Sequence, residues 1–285
     1  MRKKTMAVLL AGAIAAAGII GLTACKKDSG NGLEKGEQVS EEQWKAAITA
    51  TAEVDNYTLT FTTYYQNNAT GNVGDKTVTC NYTSNSTETS YYNLTDKKYY
   101  SETTANDSLT GGELIGEEDS ERTEIYKEYY EASELTVWAA EFDEEANEWD
   151  ADSYVASSAD ELLDVFKYKN QVSFIAKIKL ATTADGVSTP VSELYSAFSY
   201  DDGVYVATLY DGQGTAAKVT LSIKGGYIIG IMQEATSEKM DADIGLMVTT
   251  TIKYTYSFSN FGSTTVTTPE GAAAAIAEAK THSNN

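Results

Sequence analysis

Apolar and polar residues alternate strictly along several segments of this chain, and this pattern leaves few folds open to it. Between residues 246 and 258, every second position holds an apolar residue or a threonine. Successive side chains of a β-strand point to opposite faces, so the pattern predicts a long strand with one covered face. The chain also holds 20 Tyr and only 2 Pro, which suits pleated sheets. We therefore expect a mostly β fold with one sizeable core.

The same alternation predicts further strands in both halves of the chain. In the N-terminal half we expect strands at 57–65, 77–82, 87–94 and 97–102, one near 125–130, and a hairpin of 135–142 with 149–155. In the C-terminal half we expect an antiparallel meander of strands 172–180, 204–210, 217–224, 227–234 and 246–258, followed by a short strand at 264–267. Gly225-Gly226 supports the meander, because adjacent glycines suit the tight turns of β-hairpins.

Capping residues predict two short helices. Ser40 with Gln43, and Ser158 with Glu161, both have the spacing of a capping box. The first helix would open the folded domain, and the second would be inserted midway, from residue 159 to about 168. Each has one apolar face that must be buried against another element.

The N-terminus has the organisation of a secretion signal. Three basic residues precede an apolar run of seventeen residues, 6–22, which ends in Leu22-Thr23-Ala24-Cys25. A positive start, an apolar middle and small residues at the end are typical of such signals. The run is short for an uncleaved membrane span, which needs about 20 residues. The last four residues resemble the lipobox of bacterial lipoproteins, which implies cleavage after Ala24 and a diacylglyceryl group on the Cys25 sulfur.

The remaining chain divides into three parts. We expect a flexible tether at 25–38, a single domain at 39–270 and an Ala-rich tail at 271–285. Lipid on Cys25 would hold this domain outside the cytoplasm, attached to the bacterial membrane, and at the cell surface of a bacterium with one membrane.

Charge excludes one class of partner. The net charge is −21, and cleavage of the signal would remove three cations and leave −24. Residues 113–152 hold 16 Asp and Glu against only Arg122 and Lys127. Phosphate backbones are bound by clusters of Lys and Arg, so we exclude nucleic acid as a partner. We interpret the acidic stretch as a solvated surface and predict no metal site, because the order of an EF-hand loop is absent.

No catalytic constellation is evident. His282 is the only histidine and lies near the C-terminus, which leaves no Ser-His-Asp or Cys-His arrangement. Cys80 lies on the apolar side of a predicted strand without a basic neighbour to lower its pKa, so we expect a buried core residue. We predict neither an enzyme nor a cofactor, and a hydrolase with paired carboxylates is the least favoured hypothesis.

The segment Tyr256-Ser257-Phe258-Ser259-Asn260-Phe261-Gly262-Ser263-Thr264-Thr265-Val266, followed by Pro269, is similar to the closing strand pair of the half-barrel lipoproteins typified by LolA and LppX. The order of a helix, a meander with an inserted helix and a closing strand also resembles that family. The resemblance implies a long curved antiparallel sheet, a half-barrel, with both helices packed on its concave face and an apolar cavity for acyl chains. It assigns no role to any single residue.

We therefore expect a monomeric, membrane-tethered protein that binds or carries a hydrophobic or amphipathic ligand. The candidate ligand-binding residues are those expected on the apolar face of the sheet: Phe174, Ile178, Leu221, Ile229, Ile231, Ile252 and Tyr254. The alternative is a cell-surface interaction or adhesion module with a filled core and no cavity, which would use exposed Tyr and Thr faces. Helix side chains filling the concave face would favour this alternative.

Overall fold

The computed structural model describes residues 35–211, 214–241 and 245–282. The predicted signal peptide and Cys25 therefore lie outside the described residues. The strands are β1 (Asn56–Val73), β2 (Lys76–Asn93), β3 (Lys98–Thr110), β4 (Ser120–Ser133), β5 (Thr136–Asp143), β6 (Glu148–Val155), β7 (Lys179–Leu180), β8 (Thr189–Pro190), β9 (Ser199–Asp201), β10 (Val204–Tyr210), β11 (Ala216–Lys224), β12 (Tyr227–Asp241) and β13 (Leu246–Ser259). The α-helices are α1 (Glu41–Ala52), α2 (Ala159–Lys169) and α3 (Glu270–His282), and short 3-10 helices span Gly112–Leu114, Gln171–Lys177, Val191–Glu193 and Tyr195–Ala197.

Eleven strands form one antiparallel sheet that does not close on itself. Its order is β6-β5-β4-β3-β2-β1-β13-β12-β11-β10-β9, and β7 pairs only with β8. The predicted fold class, a mostly β half-barrel with an N-terminal and an inserted helix, is confirmed. Several strands are longer than predicted, since residues 77–82 and 87–94 belong to the single strand β2. With 18 residues each, β1 and β2 extend for roughly 60 Å.

The sheet has two faces, which we call inner and outer. The helices α1 and α2 and the 3-10 helix Gln171–Lys177 pack on the inner face. Tyr57, Leu59 and Phe61 of β1 point to this face; the first two belong to the main core, and Phe61 contacts it. The threonines between them point to the outer face. Cross-strand partners share a face, so the register of the sheet assigns every strand residue to one side.

Both predicted helix starts are confirmed by their caps. The Ser40 hydroxyl accepts a hydrogen bond from the Gln43 backbone N–H at 3.2 Å, and Ser158 does the same for Glu161 at 3.2 Å. Trp44 of α1 is fully buried. Its indole N–H donates to the Val191 carbonyl at 2.9 Å, which fixes α1 to the segment that follows β8.

A second, smaller core lies on the outer face, at the edge of the sheet formed by β6. There α3 packs on β5 and β6, burying Ala272 and Ile276 against Trp138 and Ala140. Gly271 permits this contact, because a Cβ at this position would lie 2.4 Å from Cδ1 of Trp149. The Ala-rich segment at the C-terminus is thus a packed part of the fold.

The predicted strand at 172–180 is wrong. Residues Gln171–Lys177 form a 3-10 helix, and only Lys179–Leu180 is extended into a strand. Val172, Ile175 and Ile178 recur every third residue, the period of a 3-10 helix, and the first two are fully buried. Local hydrogen bonds select this form, since the Asn170 side chain accepts from the Val172 N–H at 3.1 Å.

The predicted strand at 264–267 is also wrong. This segment has no strand partner, and two asparagine side chains from strand ends hold it instead. Asn56 accepts from the Thr264 N–H at 2.7 Å, and Asn93 donates to the Thr264 carbonyl at 3.1 Å. The chain thereby crosses the end of the sheet and places Val266 in the second core.

Candidate functional site

The seven candidate ligand-binding residues do not form one site. Leu221 and Ile231 are buried in the main core at 1% and 4% exposure. Phe174 and Ile178 lie outside the eleven-stranded sheet and contact that core from the layer above it. Ile252 and Tyr254 lie on the inner face of β13, beyond the helices, and are half-buried.

Ile229 is displaced by an irregularity in the sheet. Ser222 pairs with Gly230 and Ile223 with Ile228, so Ile229 is an extra residue in β12. Such a bulge changes which neighbour points to the core. Ile228 is fully buried, whereas Ile229 is only half-buried.

Helix and loop side chains fill the inner face where the helices cover it. The Phe174 ring lies 4.5 Å from that of Tyr256, and Trp44 lies 4.6 Å from Phe198 between ring centroids. Further side chains of this layer are fully buried, among them Phe166, Val172 and Ile175. The part of the inner face that these helices cover is therefore a packed core.

The sheet continues well beyond this covered half. We call the continuation the arm; it comprises residues 62–73, 76–87, 104–110, 232–241 and 246–255 of β1, β2, β3, β12 and β13. Among the described residues of the arm, only Ala69, Cys80 and Thr255 are buried. Both faces of the arm therefore offer side chains to solvent over five adjacent strands.

The inner face of the arm has an aromatic and aliphatic floor, which we call the trough. Its central residues are Tyr65, Tyr82, Ile252 and Tyr254, with the Tyr65 and Tyr82 rings 6.0 Å apart in an edge-to-face contact. Ile252 is the cross-strand partner of Tyr65. Tyr254 is half-buried, and this burial raises the pKa of its hydroxyl. This floor is amphipathic, since each tyrosine adds a hydroxyl.

The two ends of the trough are closed differently. At the tip of the arm, Gly111 packs so tightly that its Cβ would lie 2.2 Å from the Thr79 carbonyl oxygen. The same segment covers Cys80, and burial raises the pKa of that thiol, as expected for the predicted core residue. Towards the helices, Gln171 donates to the Glu88 carboxylate at 2.6 Å.

A partly buried ion pair lies at the border between the helices and the acidic strands. Lys169 lies 2.6 Å from Glu128, and its ammonium lies 4.2 Å from the Tyr130 ring centroid. Burial opposes the charged form of Lys169, but the hydrogen bond and the charge of Glu128 outweigh it and raise the pKa of Lys169. This cation fastens the end of α2 to β4.

The outer face of the arm contains an open pocket of about 450 Å³. One row of cross-strand neighbours crosses it: Glu234, Lys253, Tyr64 and Asn85. Thr62 and Thr87 form the next row of the lining. The two charged residues of this lining, Lys253 and Glu234, lie 3.9 Å apart and offset one another.

The described residues include no group of three or more His, Cys, Asp or Glu side chains arranged to hold a metal ion. In the same part of the chain, no helix has the length and apolar character needed to span a membrane. No protein-family model matches the sequence, and no curated protein matches it significantly. The geometry of the arm therefore carries the functional proposal.

Sequence patterns did not indicate the outer pocket. Its residues come from four strands, and they meet only because β1 pairs with both β2 and β13 over many residues. Local alternation showed which side chains share a face of one strand. It could not show which residues of distant strands lie side by side.

Proposed function

We propose that this chain is a lipid-anchored extracytoplasmic protein that recognises a partner on the arm of its sheet and catalyses no reaction. The observation that carries the proposal is the contrast between a packed inner face under the helices and an arm exposed on both faces. An acyl-binding cavity would need space where Trp44, Phe166 and Phe198 are fully buried. Tyr and Asn side chains on the arm suit a recognition surface.

The N-terminal segment supports a short connection between the anchor and the domain. Lys35 forms an ion pair of 2.9 Å with Asp201, and the Gly36 N–H donates to the Tyr200 carbonyl at 2.8 Å. Val39 is buried in the main core. Nine residues lie between Cys25 and Lys35, so these two residues are at most about 35 Å apart. The edge of the sheet at β9 would thus stay close to the membrane.

Fatty-acid labelling tests the anchor. The full chain, expressed in a bacterium fed a radiolabelled fatty acid, is expected to take up label, and Cys25→Ala is expected to take up none. Cys80→Ala is the matched control and keeps its label. Label that persists in Cys25→Ala would refute the anchor.

Adhesion of cells that display the full chain tests recognition by the arm. The cells are exposed to an immobilised neutral polysaccharide, a polyanion and an extracellular protein. We expect adhesion to at least one of them above that of cells lacking the chain, and its loss when Tyr64→Ala and Tyr65→Ala alter both faces of the arm. Tyr168→Ala is the control, because Tyr168 is 87% exposed on α2. Adhesion to none of them, or adhesion that survives the double substitution, would refute the proposal.

The trough favours a second candidate, an amphipathic ligand carried on the inner face. Ile252 and Tyr254 present apolar surface beside tyrosine hydroxyls, which would suit a lipid lying along the floor. The full chain in lipid nanodiscs is exposed to a photoactivatable fatty acid. This candidate expects labelled trough peptides, and less label in Ile252→Asp than in Thr251→Asp, whose side chain points to the outer face. Equal labelling of both variants would exclude the candidate.

A further inference from the structure

Polar side chains on the outer face of the arm form a ladder of cross-strand hydrogen bonds on either side of the pocket. Towards the tip, Gln66 donates to Asn81 at 2.8 Å, and Thr70 and Thr79 lie 3.1 Å apart. On β3 and β4, Thr123 donates to Asn106 at 2.9 Å. Pairing of this kind is how polar residues on a sheet normally satisfy one another.

This ladder is interrupted at the pocket. The side chains of Thr62, Tyr64, Asn85 and Thr87 have no hydrogen-bond partner among the described residues, although they come from adjacent strands. Next to them, Thr255 is buried, and its hydroxyl has no hydrogen-bond partner in the part of the chain that the structure describes. Thr255 is the cross-strand neighbour of Thr62. Thr62 and Tyr64 are half-buried, and Asn85 and Thr87 are exposed, so these four side chains are open to a ligand that replaces the water bound to them.

The chemistry of the lining selects the class of ligand. Hydroxyls both donate and accept, and the Asn85 amide offers two donors and an acceptor. The half-buried Tyr64 ring supplies the one flat apolar surface in the centre of the row. Sugar rings match this set, because they carry hydroxyls around their rim and C–H groups on their faces.

Other ligands fit less well. A lipid would need more apolar lining than a single tyrosine ring provides. An anionic ligand would face a chain of net charge −21, and the one cation of the row, Lys253, already has Glu234 as its counter-ion. A peptide that adds to the sheet needs a free strand edge, whereas β1 and β13 lie in the middle of this sheet.

We propose that the outer pocket of the arm is a binding site for an uncharged oligosaccharide, with Tyr64 as the stacking surface and Asn85, Thr62 and Thr87 as hydrogen-bonding groups. The row from Glu234 to Asn85 crosses four strands and spans about 15 Å, enough for more than one sugar ring. This inference rests on the proposed function, since it names the ligand class of one face of the same arm.

Binding of defined oligosaccharides to the full chain in detergent tests this site. The probes are neutral gluco-, xylo-, manno- and N-acetylglucosamine oligosaccharides, with an oligogalacturonate as the anionic comparison, measured by saturation-transfer NMR and calorimetry. At least one neutral probe is expected to bind more tightly than the anionic one. Its affinity should fall at least ten-fold in Tyr64→Ala and in Asn85→Ala and stay within two-fold in Tyr168→Ala. Circular dichroism of each variant confirms that it is folded.

Two outcomes would overturn the site. One is that no neutral probe binds; the other is that Tyr65→Ala, on the inner face, weakens binding as much as Tyr64→Ala does. If either occurs while arm-dependent cell adhesion to the protein or the polyanion persists, the sugar site is wrong and the proposed function stands. Loss of arm-dependent adhesion itself would instead remove the proposed function.

Discussion

Tyr57 and Tyr65 point to the same face of the same strand, eight residues apart, into opposite surroundings. Tyr57 lies under the helices at 1% exposure, and its hydroxyl donates to Asn170 at 3.2 Å and accepts from the Gln171 N–H at 2.9 Å. Tyr65 lies half-buried in the trough, with Tyr82 as its ring neighbour. One strand thus serves as core in its first half and as exposed surface in its second.

The difference shows how a single sheet can hold both a core and a recognition surface. The covered half is stabilised by apolar burial beneath α1 and α2, whereas the arm depends on strand pairing and on cross-strand side-chain contacts of about 0.2–1 kcal/mol each. Substitutions on the arm should therefore alter binding with little effect on folding. Substitutions in the covered half should lower stability with little direct effect on binding.

Truncation of the two tyrosines should separate the halves most clearly. Tyr57→Ala removes a buried ring and two hydrogen-bond partners, and we expect it to lower the free energy of unfolding by about 3–5 kcal/mol. Tyr65→Ala should cost about 1 kcal/mol or less. Urea denaturation followed by circular dichroism measures both. Equal losses would mean that the trough is as tightly packed as the core.

Alkaline pH should destabilise the chain through the tyrosines of its covered half. Burial, with a smaller effect of the Asp55 charge, raises the pKa of Tyr92 to about 12, and burial raises those of Tyr57 and Tyr99 as well. The folded state favours the neutral tyrosine hydroxyls. Their contribution to the free energy of unfolding is therefore complete below about pH 10, and it is lost as the pH rises through the pKa of the folded state. Tyr92 alone should account for up to roughly 2–3 kcal/mol.

Denaturation midpoints between pH 9 and 12 measure this loss, with tyrosinate absorbance recorded in parallel. The absorbance change of the buried tyrosines should coincide with unfolding. Complete ionisation of all the tyrosines in a chain that keeps its native circular dichroism would contradict the expected burial.

Gly271→Ala tests the second core. There α3 covers the outer face of β5 and β6, so this part of the outer face cannot bind a partner. Alanine in place of glycine usually stabilises a helix by about 1 kcal/mol. Here the new Cβ would meet Trp149, so we expect a loss of about 1–3 kcal/mol. Faster hydrogen exchange in α3 and a change in tryptophan fluorescence would report displacement of the helix. Increased stability would show that α3 adjusts without strain.

Sequence patterns predicted the parts of the fold that local chemistry decides. Gly225 and Gly226 both adopt positive φ in the turn between β11 and β12, as adjacent glycines indicated. The segment after Asn170 was misassigned because an alternating pattern and a three-residue period overlap in it. The Asn170 cap is local to this segment, but the Tyr57 hydroxyl, which accepts from the Gln171 N–H, belongs to a distant strand that the local pattern does not include.

The same reasoning explains which site residues could be found. Ile252 and Tyr254 were identified because alternation on one strand determines its face. Tyr64 and Asn85 could not be identified as neighbours, because their proximity depends on the register between β1 and β2. The bulge at Ile229 is likewise a property of two paired strands.

The smallest expected effect concerns two neighbouring buried hydroxyls of the covered half. The Tyr57 and Tyr92 rings lie 5.2 Å apart, but the buried Tyr92 hydroxyl has no hydrogen-bond partner among the described residues. Tyr57→Phe leaves the Gln171 N–H without its acceptor and should cost about 1–2 kcal/mol. Tyr92→Phe removes only an unpaired polar atom, so we expect a change within about 0.5 kcal/mol of zero, or a slight gain.

Urea titrations of both variants at pH 7 make the comparison. A loss in Tyr92→Phe as large as that in Tyr57→Phe would mean that a bound water satisfies the Tyr92 hydroxyl, and that the covered half is less dry than its side-chain packing implies.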